Sequence, residues 1–413
     1  MTVGSWALPG RERNYRIIAF LMSTPANIPA DATGKGRHRV RSFWKRVTEG
    51  LELQQLWGQF KAEAKSSYSL YSKDVDWDEI QREKSKLKRF VFGAWGLFQA
   101  MLMKLSPARR VLLLIAIVFL VLQVGSHSDS GHNDVNFDLG GLGALILFVL
   151  LALELADRVT MKRDLEIARE IQQWLVPDQP PVVAGLDIAF ATRPQNTVAG
   201  DYYDAFLRPT LPHDSATPPL LVVVADVAGK SVPAALLMAT FQSGLRALSA
   251  TPESLDEIVV GLDRYARAHS LEGRRFTTAF LAEINPDTRE MRYVNAGHNS
   301  PILRRVTGEI ERLETGGPPF GVPLFTEHEP VYPSTRVQLG QGDLLFIFTD
   351  GVIEAVNDRG EEFGEARLIP CIKSAPNESA ADTLKRVMTE VNTFVGYARQ
   401  HDDITCLVLR VTA

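Results

Sequence analysis

Residues 220–229, LLVVVADVAG, decide how this chain is read. Leu220 to Ala225 form a valine-rich apolar run of strand type, and a single carboxylate, Asp226, stands at its end. Three other motifs share the construction: Ala199-Gly200-Asp201-Tyr202-Tyr203-Asp204, Phe348-Thr349-Asp350-Gly351 and Asp402-Asp403-Ile404-Thr405. Each places acid beside an apolar β-type run. Carboxylates delivered to one edge of a sheet hold hard divalent cations, which prefer oxygen ligands and keep several waters. Two such cations close together activate a water and clamp a phosphate oxyanion.

Working outward, the second half mixes strands and helices. Strands are expected at 186–192, 220–225, 277–284, 291–295, 301–305, 336–338, 343–348 and 404–411, and helices at 233–249, 252–269, 364–373 and 377–398. Pro233 suits a first helical turn, and Ser254 and Asp256 suit the start of the next helix. Ser231 is expected to cap the helix at Pro233. Strands in consecutive groups with paired helices indicate an α+β layered sandwich, not a doubly wound parallel sheet.

The first half differs in character. Residues 111–124 (VLLLIAIVFLVLQV) and 139–153 (LGGLGALILFVLLAL) are apolar on every face. Each is slightly shorter than the ~20 residues that comfortably cross a bilayer, and flanking small residues complete the length. A buried helical hairpin is the alternative. Arg109 and Arg110 precede the first run, Arg158, Lys162 and Arg163 follow the second, and 125–138 holds no Lys or Arg. The positive-inside rule then puts both ends in the cytoplasm. Residues 79–104 read as an amphipathic helix, either on a membrane surface or in a small helical domain. Residues 154–176 lack Gly and Pro until Pro177, and give a helix with an imperfect apolar stripe, a candidate dimerising transmitter. The expected organisation is 1–105, an N-terminal cytoplasmic helical or membrane-surface region; 106–156, two transmembrane helices; 157–182, a helical linker; and 183–413, the catalytic domain.

The net charge of −4 over 413 residues shows no nucleic-acid footprint, so no nucleic-acid partner is expected. Cys371 and Cys406 match no metal or redox spacing and read as reduced thiols. Ala228-Gly229-Lys230-Ser231 ends like a phosphate-binding P-loop, but Val224 occupies the position where that loop needs its first glycine.

The ordered series EIAREIQQWLVP, VAGDYYDAF, ADVAGKSVPAALLMA, NAGHNSPILRR, GGPPFGV, FTDGVIEAVN and DDITCLVLRV resembles the SpoIIE-type branch of bacterial metal-dependent (PPM, type 2C-like) protein phosphatases, across about residues 165–413. The resemblance implies an αββα four-layer sandwich with two Mn²⁺ or Mg²⁺ ions. It implies hydrolysis of phosphoserine or phosphothreonine on a protein by metal-activated water, with small anti-sigma-factor antagonists as frequent substrates. By position in the family's motifs, Asp226 is the bridging metal ligand and Val227 offers a backbone carbonyl. Asp350 and Asp402 complete the second metal's shell, Asp201 stands beside the metals, and Asp403 neighbours the ligand. Asp226, Asp350 and Asp402 are thus the expected catalytic set. His298, Asn295 and Arg193 are expected on the substrate side, with a structural place in the tight loop beside Gly297 as the other reading of His298. Two departures are visible: Ala199 stands where the family often has Gly, and Ser231 where it often has Gly.

The whole reads as an inner-membrane, multi-pass phosphatase with a cytoplasmic catalytic domain, a phosphoprotein substrate and a homodimer contact through the linker helix. The alternative is a phosphoprotein-binding signalling module of the same fold without turnover.

Overall fold

The computed structural model describes residues 75, 80, 85–126, 139–210, 217–269, 275–314, 316–322, 331–374 and 378–412; expectations for 1–74 and for the loop 127–138 lie outside these. The chain divides into two compact units, Met1–Leu150 and Leu151–Ala413.

The apolar and helix-forming stretches of the first half give α1 (Lys86–Lys104), α2 (Pro107–Ser126) and α3 (Leu139–Leu175). In α3 the second apolar run and the expected linker are one unbroken helix of 37 residues. A Cβ on Gly143 would stand 3.0 Å from the Ala116 carbonyl oxygen, so glycine permits close approach of α3 to α2. Among the described residues, α3 alone is long and apolar enough to cross a membrane by length and composition. Of the two expected spans, the second meets that criterion. The side chains at the end of α2 lie outside the described residues.

In the second unit, β3 (Leu220–Val227) shows how the apolar runs are used. Leu220, Val222 and Val224 join one hydrophobic cluster, and Leu221, Val223, Ala225 and Val227 join another. Successive strand side chains point to opposite faces, so a strand covered on both sides must be apolar throughout. β10 (Ile404–Val411) is built the same way, with Leu407, Leu409 and Val411 on one face and Ile404, Cys406 and Val408 on the other.

Two antiparallel sheets result. One runs β1 (Leu186–Arg193), β10, β9 (Leu344–Phe348), β6 (Ile302–Arg304), β7 (Ile310–Arg312). The other runs β2 (Tyr202–Leu207), β3, β4 (Thr277–Ile284), β5 (Glu290–Ala296), β8 (Thr335–Gln338). Both sheets supply residues to a shared cluster that includes Val222, Phe280, Leu345 and Leu407. A second cluster joins β3 and β4 to α4 (Val232–Ser249) and α5 (Leu255–Ala268). A third joins β9 and β10 to α6 (Gly364–Lys373) and α7 (Ala380–Val395).

Two local expectations meet different outcomes. Ser254 does cap α5, in a reciprocal capping box with Glu257. Ser231 precedes α4 but makes no side-chain cap bond: its φ of 63° lies in the left-handed region, which turns the hydroxyl away from the helix N–H groups. Strand β2 was not foreseen, because Asp204 interrupts its apolar pattern. That carboxylate is nonetheless fully buried, bonded by Tyr202 Oη, the Ala205 amide and Arg246.

Candidate active site

The register explains why distant aspartates meet. Tyr202 pairs with Ala225, so Asp201, just before β2, and Asp226, at the end of β3, lie at the same sheet edge. Phe348 pairs with Cys406, which puts Asp350, just after β9, beside Asp402 and Asp403, just before β10. A short 3₁₀ turn, Asp350–Val352, follows β9. Its Gly351 is obligatory: a Cβ there would stand 2.0 Å from the Asp403 carbonyl oxygen. Gly200 is similarly tight, with a Cβ reaching 3.2 Å from the Val227 carbonyl oxygen. The Val227 side chain itself is core.

These carboxylates share one electrostatic field. Burial, then Asp350, Asp402 and Asp403, push Asp226 up to about 7. Burial and the charge of Asp226 hold Asp201 well above the usual carboxylate range. Asp350 is raised by burial and by Asp402, with Lys230 acting the other way. Asp403 is raised by burial, partly offset by backbone N–H donors. Like charges facing each other in a partly buried site disfavour ionisation. Such a set, rich in negative charge and oxygen donors, fits divalent cations. Among the described residues no three His, Cys, Asp or Glu side chains already converge on one point at ligand distance. Lys230 partly balances the charge, with its Nζ 3.0 Å from Asp402 Oδ2 and also donating to the His401 carbonyl.

A second ring of contacts was not legible in the sequence. Thr349 Oγ1 donates to Asp201 Oδ2 at 2.9 Å and accepts from the Thr405 amide at 3.0 Å. Asp403 accepts from the amides of Gln195 (2.6 Å) and Gly200 (2.7 Å), so it braces the loop that carries Asp201. The Gln172 side chain, on α3, donates to the Ala199 carbonyl at 2.7 Å and accepts from the Ala199 amide at 2.9 Å. Thr349 and Thr405 lie inside the FTDG and DDIT motifs, which is the one signal that could have found them.

Comparison with known proteins decides the kinship. Residues 218–412 match the family model for Stage II sporulation protein E (SpoIIE). Over these residues the chain is similar to the SpoIIE family. Over 305 residues the chain is 27% identical to Protein IcfG of Synechocystis sp., covering 66% of this chain and 46% of that protein. Over 251 residues it is 27% identical to phosphoserine phosphatase RsbU of Bacillus subtilis, covering 60% of this chain and 70% of that one. The chain thus spans about half the length of the first relative. The solved SiaA-PP2C domain of Pseudomonas aeruginosa superposes with a TM-score of 0.53 at 21% identity, covering 62% of this chain and 98% of that domain, which shows a PP2C-like fold.

The three residues expected on the substrate side do not share one environment. His298 and Asn295 are buried, not substrate-facing. Asn295 Oδ1 accepts from the His298 amide at 2.8 Å and its Nδ2 donates to the Leu313 carbonyl, closing a turn at Gly297. The His298 ring meets Thr278 Oγ1 at 3.0 Å, and burial pushes its pKa down to about 4. Both residues build the loop under the site. Arg193, by contrast, lines a cavity of ≈170 Å³ together with Lys230, Gln400 and Asp402, while its guanidinium donates to Asn392.

Proposed function

We propose that this chain is a membrane-anchored, metal-dependent protein serine/threonine phosphatase acting on a regulatory phosphoprotein, with an anti-sigma-factor antagonist as the substrate class. The observation that carries the reading is that Asp201 and Asp226, at strand ends of one sheet, lie close enough to Asp350, Asp402 and Asp403, at strand ends of the other, for their charges to act on one another. Kinship to a phosphoserine phosphatase supports it. Hydrophobic clusters that join each sheet to a pair of helices, and the two sheets to each other, support an αββα layering.

Asp226, Asp350, Asp402 and the Val227 carbonyl would hold two Mn²⁺ or Mg²⁺ ions, with Asp201 acting at one remove. When bound, such ions lower the pKa of water and screen the phosphate's charge. The remaining work belongs to the chain. Asp403 and Thr349 fix the loop and carboxylate of Asp201. Gly351 lets the Asp350 turn press against the Asp403 backbone. The cavity shared by Arg193 and Lys230 beside Asp402 is where an anionic substrate is received.

The anchor is the apolar part of α3, paired with α2, in the inner membrane with both termini cytoplasmic. The charge asymmetry of their flanks supports this topology. The distal part of α3 is the transmitter and homodimer helix: Gln172 grips Ala199, next to the loop that carries Asp201. Equal activity in fragments beginning near residue 183 and in fragments retaining the helix would count against that role.

The test of the activity is release of phosphate from p-nitrophenyl phosphate or a phosphoserine protein. Turnover is expected with Mn²⁺ and absent with chelator or in Asp226→Asn. A protein that binds phosphoprotein and releases nothing is instead the non-catalytic module.

A further inference from the structure

Helix α1 takes no part in the function proposed above. Between Arg89 and Lys104 it carries fourteen residues, FVFGAWGLFQAMLM, without a charge. As helix they extend about 21 Å, too short for the ~30 Å of a hydrocarbon core. One stripe is covered: Gly93 and Ala100 are buried, and a Cβ on Gly96 would stand 3.0 Å from Val75 Cγ1. The opposite face carries Leu87, Val91, Trp95, Phe98 and Leu102 at spacings of three and four. Leu87 is 74% and Trp95 59% exposed, and the Trp95 and Phe98 rings stand 5.7 Å apart.

Two observations say what covers that face. The first is charge. No acidic residue lies between Glu83 and Asp129, whereas Lys84, Lys86, Lys88, Arg89, Lys104, Arg109 and Arg110 do. The second is a fixed corner. Arg110, in the first turn of α2, donates through Nε to the Leu102 carbonyl and through Nη2 to the carbonyls of Met103 and Leu105, at 2.9–3.1 Å. One guanidinium thus closes the carbonyls that the end of α1 leaves open. The helix therefore ends at Leu105 and is held to the start of the apolar helix α2.

We propose that α1 lies in the surface of an anionic bilayer, with the Leu87–Leu102 stripe toward the acyl chains and the exposed Lys88 against headgroup phosphates. The inference rests on the membrane anchoring proposed above. An apolar, aromatic face flanked by basic residues at its ends is the composition of a helix seated in the interface. Tryptophan belongs at that depth because its ring is amphipathic. Each basic residue near an anionic leaflet contributes about 1 kcal/mol.

The full-length chain carrying Cys371→Ser is reconstituted in nanodiscs of phosphatidylcholine with or without phosphatidylserine. Single nitroxides are placed through Trp95→Cys, Leu87→Cys, Phe148→Cys on α3 and Tyr397→Cys on the second unit. The expected result is a deep label at 148, an aqueous label at 397, and labels at 87 and 95 that meet lipid-soluble oxygen at interfacial depth. Phosphatidylserine should strengthen the contact at 87 and 95, and Lys88→Glu should weaken that effect about fivefold. If 148 is deep while 87 and 95 are as aqueous as 397, the inference fails and the anchor stands. If 87 and 95 are immobilised yet closed to oxygen, protein covers the face, from a partner or a second copy, and the inference fails. Aqueous labels at 148 as well as at 87 and 95 overturn the anchoring reading together with this one.

Discussion

Replacing Asp226 by Asn should stabilise the cation-free protein while abolishing its activity. The folded-state value for Asp226, about 7, lies above the ordinary carboxylate value of 3.8. Between those values the folded chain holds a proton that the unfolded chain has released. Stability therefore falls as pH rises from about 4 to about 7, and the whole penalty is present above that window. A shift of about three units corresponds to about 4 kcal/mol at most. Part of it persists in the variant, because a buried amide also loses solvent, so a gain on the order of 2–4 kcal/mol is expected at about pH 8. The assay is urea unfolding of the 151–413 unit with chelator present, across pH. The Asn variant should unfold at higher urea near pH 8, and the difference should close toward pH 4. Mn²⁺ should stabilise the wild type and leave the variant unmoved. A variant equal to or weaker than wild type at every pH would refute the claim that Asp226 is held among uncompensated charges.

Three further outcomes follow from single contacts. Gly351→Ala forces a Cβ to within 2.0 Å of the Asp403 carbonyl oxygen, so the unfolding free energy should drop by about 3 kcal/mol or more, and phosphate release should fall with it. Arg246→Ala strips a bidentate partner (2.8 and 2.9 Å) from fully buried Asp204; a cost of about 3–5 kcal/mol is expected in the same assay. For His298, burial lowers the folded-state value to about 4 from 6.5. The unfolded chain then binds the extra proton first, so stability is lost as pH falls from about 6.5 to about 4, by about 3 kcal/mol in total. An imidazole that titrates near 6.5 by NMR in the folded protein would contradict this.

Asp226, Asp350 and Asp402 were readable because each adjoins a strand whose apolar run is itself readable. β3 and β10 announce themselves through runs rich in valine and leucine, which covered sheets demand. What supports the aspartates was not readable, since Thr349 with Asp201, Gln172 with Ala199 and Asp403 with Gly200 are pairings across sheets and helices, far apart along the chain. The NAGH motif admits two readings for a physical reason. A polar Asn-His pair beside glycine suits a substrate loop, and equally suits a buried turn in which Asn295 holds the His298 amide. Gly297 marks the turn: its φ is +69°, and a Cβ there would stand 2.6 Å from Pro319 Cγ. Asp204 hid β2 in the same way, because a carboxylate inside a strand is tolerable only with partners, here Tyr202 and Arg246, that spacing alone does not reveal.

The most direct measurement is the anomalous scattering of manganese in crystals of the 151–413 unit grown with Mn²⁺. Density within ligand distance of the carboxylates of Asp226, Asp350 and Asp402 is the predicted result. Manganese-dependent phosphate release from protein whose manganese lies elsewhere, with those three carboxylates unliganded, would contradict the account.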